Sequence, residues 1–291
     1  MSDLDRPAIG IGLRLLSGLL FAGMLIVVKA VSDDVPLGEI VFFRSFFALI
    51  PLVVFLWLRK EFPSGLATKR PGAHFIRSGF GALALFASFA AIARLNVAEA
   101  ILVAQLTPVL TALAAVVLLG ERLTKWRIAG LGLGFLGVVV LVAPELGAGG
   151  GSDRFTGYLI GLISAALAAL ALIMVRSLTK TESPGAIALY FVLASMVGAL
   201  LTLPWGWVMP DTTTLLLLVG TGVFGGFAHI AMTLAYRYAE ASRLAPFEYV
   251  ALVWPVLADL FLFRLPLSSA FLFALPLILG GAIVAAGERR K

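Results

Sequence analysis

The sequence predicts an all-α integral membrane protein whose ten transmembrane helices form two inverted five-helix repeats. Three observations predict it. First, 61% of the 291 residues are hydrophobic and 13% are charged, against about 45–50% apolar and about 25% charged in ordinary soluble domains. Second, the chain is written twice. Residues 79–104 and 220–245 align without a gap, so that Gly79, Gly81, Phe86, Ala87 and Ala90 fall on Gly220, Gly222, Phe227, Ala228 and Ala231. The run Ala98-Glu99-Ala100 falls on Ala239-Glu240-Ala241 in the same register. Third, a linker at 144–154 containing the glycines of 147–151 separates five apolar windows from five more. Glycine-rich stretches of this kind are connectors rather than elements. An odd number of spans per copy makes the second copy enter the membrane from the opposite side.

Each window has about the 17–25 apolar residues that a bilayer crossing needs. The first repeat, 9–143, holds spans at 9–31, 37–58, 73–93, 97–119 and 126–143, and the second, 155–287, holds 155–177, 184–204, 212–236, 244–263 and 269–287. Acidic Asp3 and Asp5 precede the first span and no small-residue cleavage site follows it, so it reads as a retained helix. In the first two spans Gly10, Ser17, Lys29, Gly38 and Ile40 align with Gly157, Ser164, Arg176, Gly185 and Ile187 of the sixth and seventh. The third span carries Gly81, Ala84 and Ser88 at helical spacing, and the eighth carries Gly222, Gly225, Gly226 and His229. Small residues of this kind let helix backbones approach closely in lipid, or slide during gating. The fourth span presents a small, polar face of Ala104, Thr107, Pro108 and Thr111, and the fifth is glycine-spaced. In the ninth, Glu248, Leu252, Pro255 and Asp259 share one face, and the tenth is the last apolar window.

The net charge of +6 describes topology. With a cytoplasmic amino terminus, the basic residues at 59–60, 69–70, 77, 122–127, 176–180, 237–243 and 289–291 lie inside. Arg94, Arg154 and Arg264 lie near the outer face. That excess on one side orients a membrane protein, so both termini are expected in the cytoplasm and no nucleic-acid partner is expected. The absence of Cys excludes disulfides and thiolate chemistry. No metal-ligand cluster or nucleophile motif accompanies His74 and His229, so no enzyme, cofactor or metal is expected. A channel is disfavoured because no ring of pore-lining charge and no filter loop is visible.

Ionisable groups at membrane depth mark either pathways or internal partners. Lys29 either snorkels to the outer interface or contacts substrate. Arg44, about two turns into its span, either satisfies carbonyls or a carboxylate across the bundle or recognises a substrate carboxylate. Glu248 either pairs with Arg243 or Arg44, or binds a substrate ammonium or carries a proton. Asp259 is expected to pair with Arg264. His229 aligns with Ser88 and is either a packing residue or a proton-responsive one. Gln105 suits an amino-acid backbone group or an interhelical bond. Tyr249 and Trp254 lie mid-span and either line a pocket or face lipid, whereas Trp57, Trp205 and Trp207 read as interfacial anchors. Arg44, Ser88, Gln105, Thr107, His229, Glu248, Tyr249 and Trp254 are thus the cavity candidates. Lys29, Pro108, Gly225, Gly226 and Pro255 are the gating or structural ones.

Arg44 in FFRSFFAL, Glu99-Ala100 followed by Gln105-Leu106-Thr107-Pro108, and Gly120-Glu121-Arg122-Leu123-Thr124 carry a resemblance. Across nearly its whole length the chain resembles the drug/metabolite transporter superfamily, in its two-repeat EamA type. It looks most like the YddG-like bacterial exporters of aromatic and neutral amino acids. The second half departs from the pattern: Tyr249 replaces a Pro, Phe263-Arg264-Leu265-Pro266 replaces the Gly-Glu-Arg-Leu-Thr motif, and Phe191 stands opposite Arg44. The resemblance implies a secondary transporter exporting small metabolites, amino acids foremost, by alternating access across the bacterial inner membrane. Its partners would be a small-molecule substrate and the lipid bilayer, as a monomer or homodimer. A carrier of nucleotide sugars, purines or cationic drugs is the alternative.

Overall fold

The apolar windows fold as helices in a computed structural model that describes residues 6–63, 66–119, 125–147, 152–179, 181–238, 244, 247 and 250–286. In chain order the helices are α1 (Pro7–Val31), α2 (Leu37–Leu58), α3 (Pro71–Arg94), α4 (Val97–Ala104), α5 (Thr107–Leu119) and α6 (Lys125–Gly147). They continue with α7 (Asp153–Leu178), α8 (Pro184–Leu200), α9 (Thr212–Tyr238), α10 (Val253–Leu257) and α11 (Ser269–Ala286). Among the described residues, seven stretches are long and apolar enough to cross a membrane, and shorter apolar helices cover 185–200, 253–262 and 269–284. Proline opens α1, α3 and α8, where its missing N–H costs nothing. Ser152, Ser183 and Ser268 cap α7, α8 and α11, each hydroxyl accepting an amide three residues on at 3.0–3.1 Å.

Two expected spans depart from single helices. The fourth breaks at Gln105-Leu106, just before Pro108, whose ring removes a donor and crowds the preceding turn. In the expected ninth, the described part is α10 followed by a π-helical turn, Ala258–Leu262, with left-handed Arg264 two residues beyond it.

The chain forms two compact units that do not follow the order of its halves, 1–69 with 182–258 and 70–181 with 259–291. In the first unit α1 packs on α9, and α2 packs on both α8 and α9. Gly38 at the start of α2 faces Thr202 just beyond α8, while Gly185 at the start of α8 faces Leu56 at the end of α2. The two helices therefore run antiparallel, and a Cβ at either glycine collides with its neighbour. Ser17 on α1 donates to the Ala228 carbonyl of α9 at 2.9 Å.

In the second unit α3 packs on α7, and α6 packs on α11. Ser164 on α7 donates to the Ala84 carbonyl of α3 at 2.8 Å. The α6–α11 crossing is tight, because a Cβ on Gly281 would lie 2.6 Å from the Gly134 nitrogen and 2.7 Å from the Gly130 oxygen. Such small-on-small contacts supply the van der Waals packing that drives helix association where lipid removes the hydrophobic incentive.

Candidate functional site

In the first unit the fold gathers Arg44, His229 and Gly225. Arg44 lies two turns into α2 and is 2% exposed. Its Nη2 lies 3.3 Å from His229 Nε2 on α9. Since a guanidinium only donates, this bond requires Nε2 to be the acceptor, with the imidazole proton on Nδ1. The guanidinium also lies 5.7 Å from the ring centre of Phe191 on α8. Phe21 of α1 meets the His229 ring edge-on, with centroids 4.9 Å apart. Gly225 forms the wall between these groups. A Cβ there would fall 2.9 Å from Met24 Sδ and 3.5 Å from Arg44 Nε. The next residue, Gly226, lets α9 close onto Pro51.

Arg44 Nε and Nη1 are buried without a hydrogen-bond partner among the described residues. A buried donor without a partner costs several kcal/mol in an apolar medium, roughly 2–7 depending on the reference state. The guanidinium is therefore held by shape and by one long bond, with donors to spare. Trp254 Nε1, on α10, is likewise buried and without a hydrogen-bond partner among the described residues, and the next residue, Pro255, is buried. Lys29 stands half-buried in the last turn of α1. Glu248, Tyr249 and Arg243 lie outside the described residues, as does the motif at 120–124.

The second unit holds the remaining candidates. Ser88 is half-buried on α3. Gln105 and Thr107 flank the break between α4 and α5, where Pro108 and Ala104 are exposed and Thr111 donates back to the Thr107 carbonyl at 2.7 Å.

Two polar clusters of the second unit lie outside the expected site. Asp259, fully buried, accepts from the Val97 and Ala98 amides at 3.1 and 2.7 Å. It thereby caps α4, whose own N-cap, Asn96, makes no side-chain capping bond. The ninth span's carboxylate thus binds the start of the fourth, a role beyond the expected Arg264 partnership. The two oxygens of buried Glu99 accept from Arg154 Nη2 at 3.0 and 2.8 Å, Tyr158 Oη accepts from the same nitrogen at 3.3 Å, and Arg154 Nε reaches Glu145 at 2.9 Å. The Ala-Glu-Ala run marks Glu99 in the sequence, but nothing there marks its partner.

Against known proteins, residues 8–143 match the EamA-like transporter family. The pseudopaline exporter of Pseudomonas aeruginosa is 31% identical over 258 residues, covering 86% of each chain. The riboflavin transporter of Rhizobium johnstonii is 27% identical, covering 99% of this chain and 94% of its own. The S-adenosylmethionine uptake transporter of Rickettsia prowazekii is 29% identical over 78% of this chain and 74% of its own. A crystal structure with 25% sequence identity superposes with a TM-score of 0.67 over 96% of both chains.

Proposed function

This chain belongs to the EamA-like transporter family, and from that premise we propose that it exports amino acids, aromatic or neutral, by alternating access across a bacterial cytoplasmic membrane. Like its relatives, the protein is a multi-pass membrane transporter of metabolites and not an enzyme. The relatives carry chemically unlike solutes in both directions. Substrate choice and export therefore rest on this chain's own side chains and on its likeness to amino-acid exporters.

One observation carries the mechanism, namely that contacts recur in pairs related by the repeat. Ser17 and Ser164, aligned in the two halves, each bond a carbonyl of the partner helix, on α9 and α3 respectively. The aligned glycines Gly38 and Gly185 make nearly reciprocal contacts at opposite ends of α2 and α8. Arg44 and its aligned residue Phe191 touch each other, as residues beside a two-fold axis do. Two related halves of opposite orientation supply the two equivalent arrangements that alternating access exchanges.

Counterflow tests this reading. Purified protein in proteoliposomes preloaded with unlabelled amino acids should accumulate the corresponding radiolabelled amino acid saturably and competably. Accumulation of purines or nucleotide sugars in place of amino acids would move the assignment to that class. Ohmic current without counterflow would replace the carrier by a channel.

A further inference from the structure

We propose, on the footing of the carrier reading, that Arg44 is a carboxylate-binding subsite, its guanidinium N–H donors taking the carboxylate of a metabolite whose apolar part lies against Phe191 and Phe21. A guanidinium carries five N–H groups arranged as two forks, one along its side through Nε and Nη2 and one at its end through Nη1 and Nη2. His229 occupies a single hydrogen of Nη2. Whichever one it takes, the other fork remains whole. Nε and Nη1 have no hydrogen-bond partner among the described residues, although the side chain is only 2% exposed.

A structural arginine in a bilayer would spend these donors on carbonyls or a carboxylate, because each buried donor left open is costly. This one is sealed from solvent with a complete fork open among the described residues, and a planar carboxylate fits that fork with two parallel bonds. A single cation balances the single charge of a carboxylate, whereas a phosphate dianion would bring a second, uncompensated charge into a low-dielectric interior. The surroundings select the rest of the ligand. Phe191 covers the guanidinium and Phe21 stands on His229, so the flanks are aromatic. Gly225 keeps the α9 side of the guanidinium free of side chain, since a Cβ there would crowd Met24 Sδ at 2.9 Å and touch Nε at 3.5 Å. Binding follows a local opening of this packing, as an alternating-access cycle supplies.

The test compares acids with their amides on the unmodified chain before any substitution. The probes are L-phenylalanine, L-leucine, 3-phenylpropionate, L-phenylalaninamide and L-leucinamide. They are measured by ligand-induced thermal shift in detergent micelles and by competition against leucine counterflow in proteoliposomes. The acids should bind at least tenfold more tightly than the amides, and 3-phenylpropionate should keep that advantage. In R44Q and R44K that preference should fall at least tenfold. Equal binding of acid and amide, or an acid preference that survives R44Q, would overturn the subsite, as would failure of every acid to bind. If R44Q does not fold, the acid–amide comparison decides alone. Thermal shifts by acids without counterflow would sink the carrier reading and keep the subsite. Counterflow indifferent to the carboxylate would do the reverse.

Discussion

Glu99 is 1% exposed and accepts two bonds from Arg154 Nη2, whereas the Arg154 side chain stays 38% exposed and also reaches Glu145 and Tyr158. The two partners are therefore unequal in what they leave behind. Arg154→Gln strands a carboxylate in the interior, at a cost of about 3 kcal/mol, the low end of the range for a broken buried pair because water reaches the arginine. Glu99→Gln leaves a cation that keeps Glu145 and solvent, and should cost about 1 kcal/mol. Unfolding in detergent micelles should rank the two in that order, with the double variant less damaged than the sum. Equal losses would show that the carboxylate is not effectively buried. The sequence marks Glu99 through the repeated run but leaves it without a partner, since Arg154 lies 55 positions away. The same holds for Asp259, which meets α4 across about 160 positions. Pattern along the chain fixes which face a residue lies on, and only the packed helices fix what it touches.

Helices were the more legible scale because the bilayer dictates their length. The second span, expected at 37–58, is α2 residue for residue, and the first, third, sixth and eighth agree within two residues at each end. Legibility fails where backbone chemistry interrupts the apolar pattern. Hydropathy runs unbroken through Gln105-Leu106 while the helix does not, and the expected ninth span ends in a π-helical turn. Glycine also means more in the structure than its spacing reveals. Gly38 and Gly185 each sit where a Cβ would enter Thr202 or Leu56, whereas Gly12 on α1 faces open space. Gly38→Ala and Gly185→Ala should each destabilise by about 1–3 kcal/mol through overpacking of the α2–α8 contact. Gly12→Ala should be neutral or stabilising by up to about 1 kcal/mol, through lost freedom in the unfolded chain. Thermal unfolding of the three variants in one detergent separates contact from propensity. A uniform response would remove the contact explanation.

At the scale of the molecule, each compact unit draws helices from both halves of the chain, so orientation must be argued for the chain as a whole. We propose ten crossings with both termini in the cytoplasm, the orientation resting on the basic residues that flank the apolar windows, which the positive-inside rule keeps on one face. The count depends most on the ninth segment, whose described apolar helix covers only 253–262. That is shorter than the roughly 20 residues a crossing uses. If 244–263 does not cross, the chain makes nine passages and its carboxy-terminal end emerges outside. A fluorescent protein fused after Lys291 should therefore fluoresce, as it does when cytoplasmic, and alkaline phosphatase fused there should be inactive. The same pair inserted among the glycines of 147–151 should give the opposite result. An outside carboxy terminus with an outside linker would leave five spans in the first half and four in the second. An inverted repeat cannot be built from unequal halves, and the paired contacts of Ser17 and Ser164 would then need a different origin.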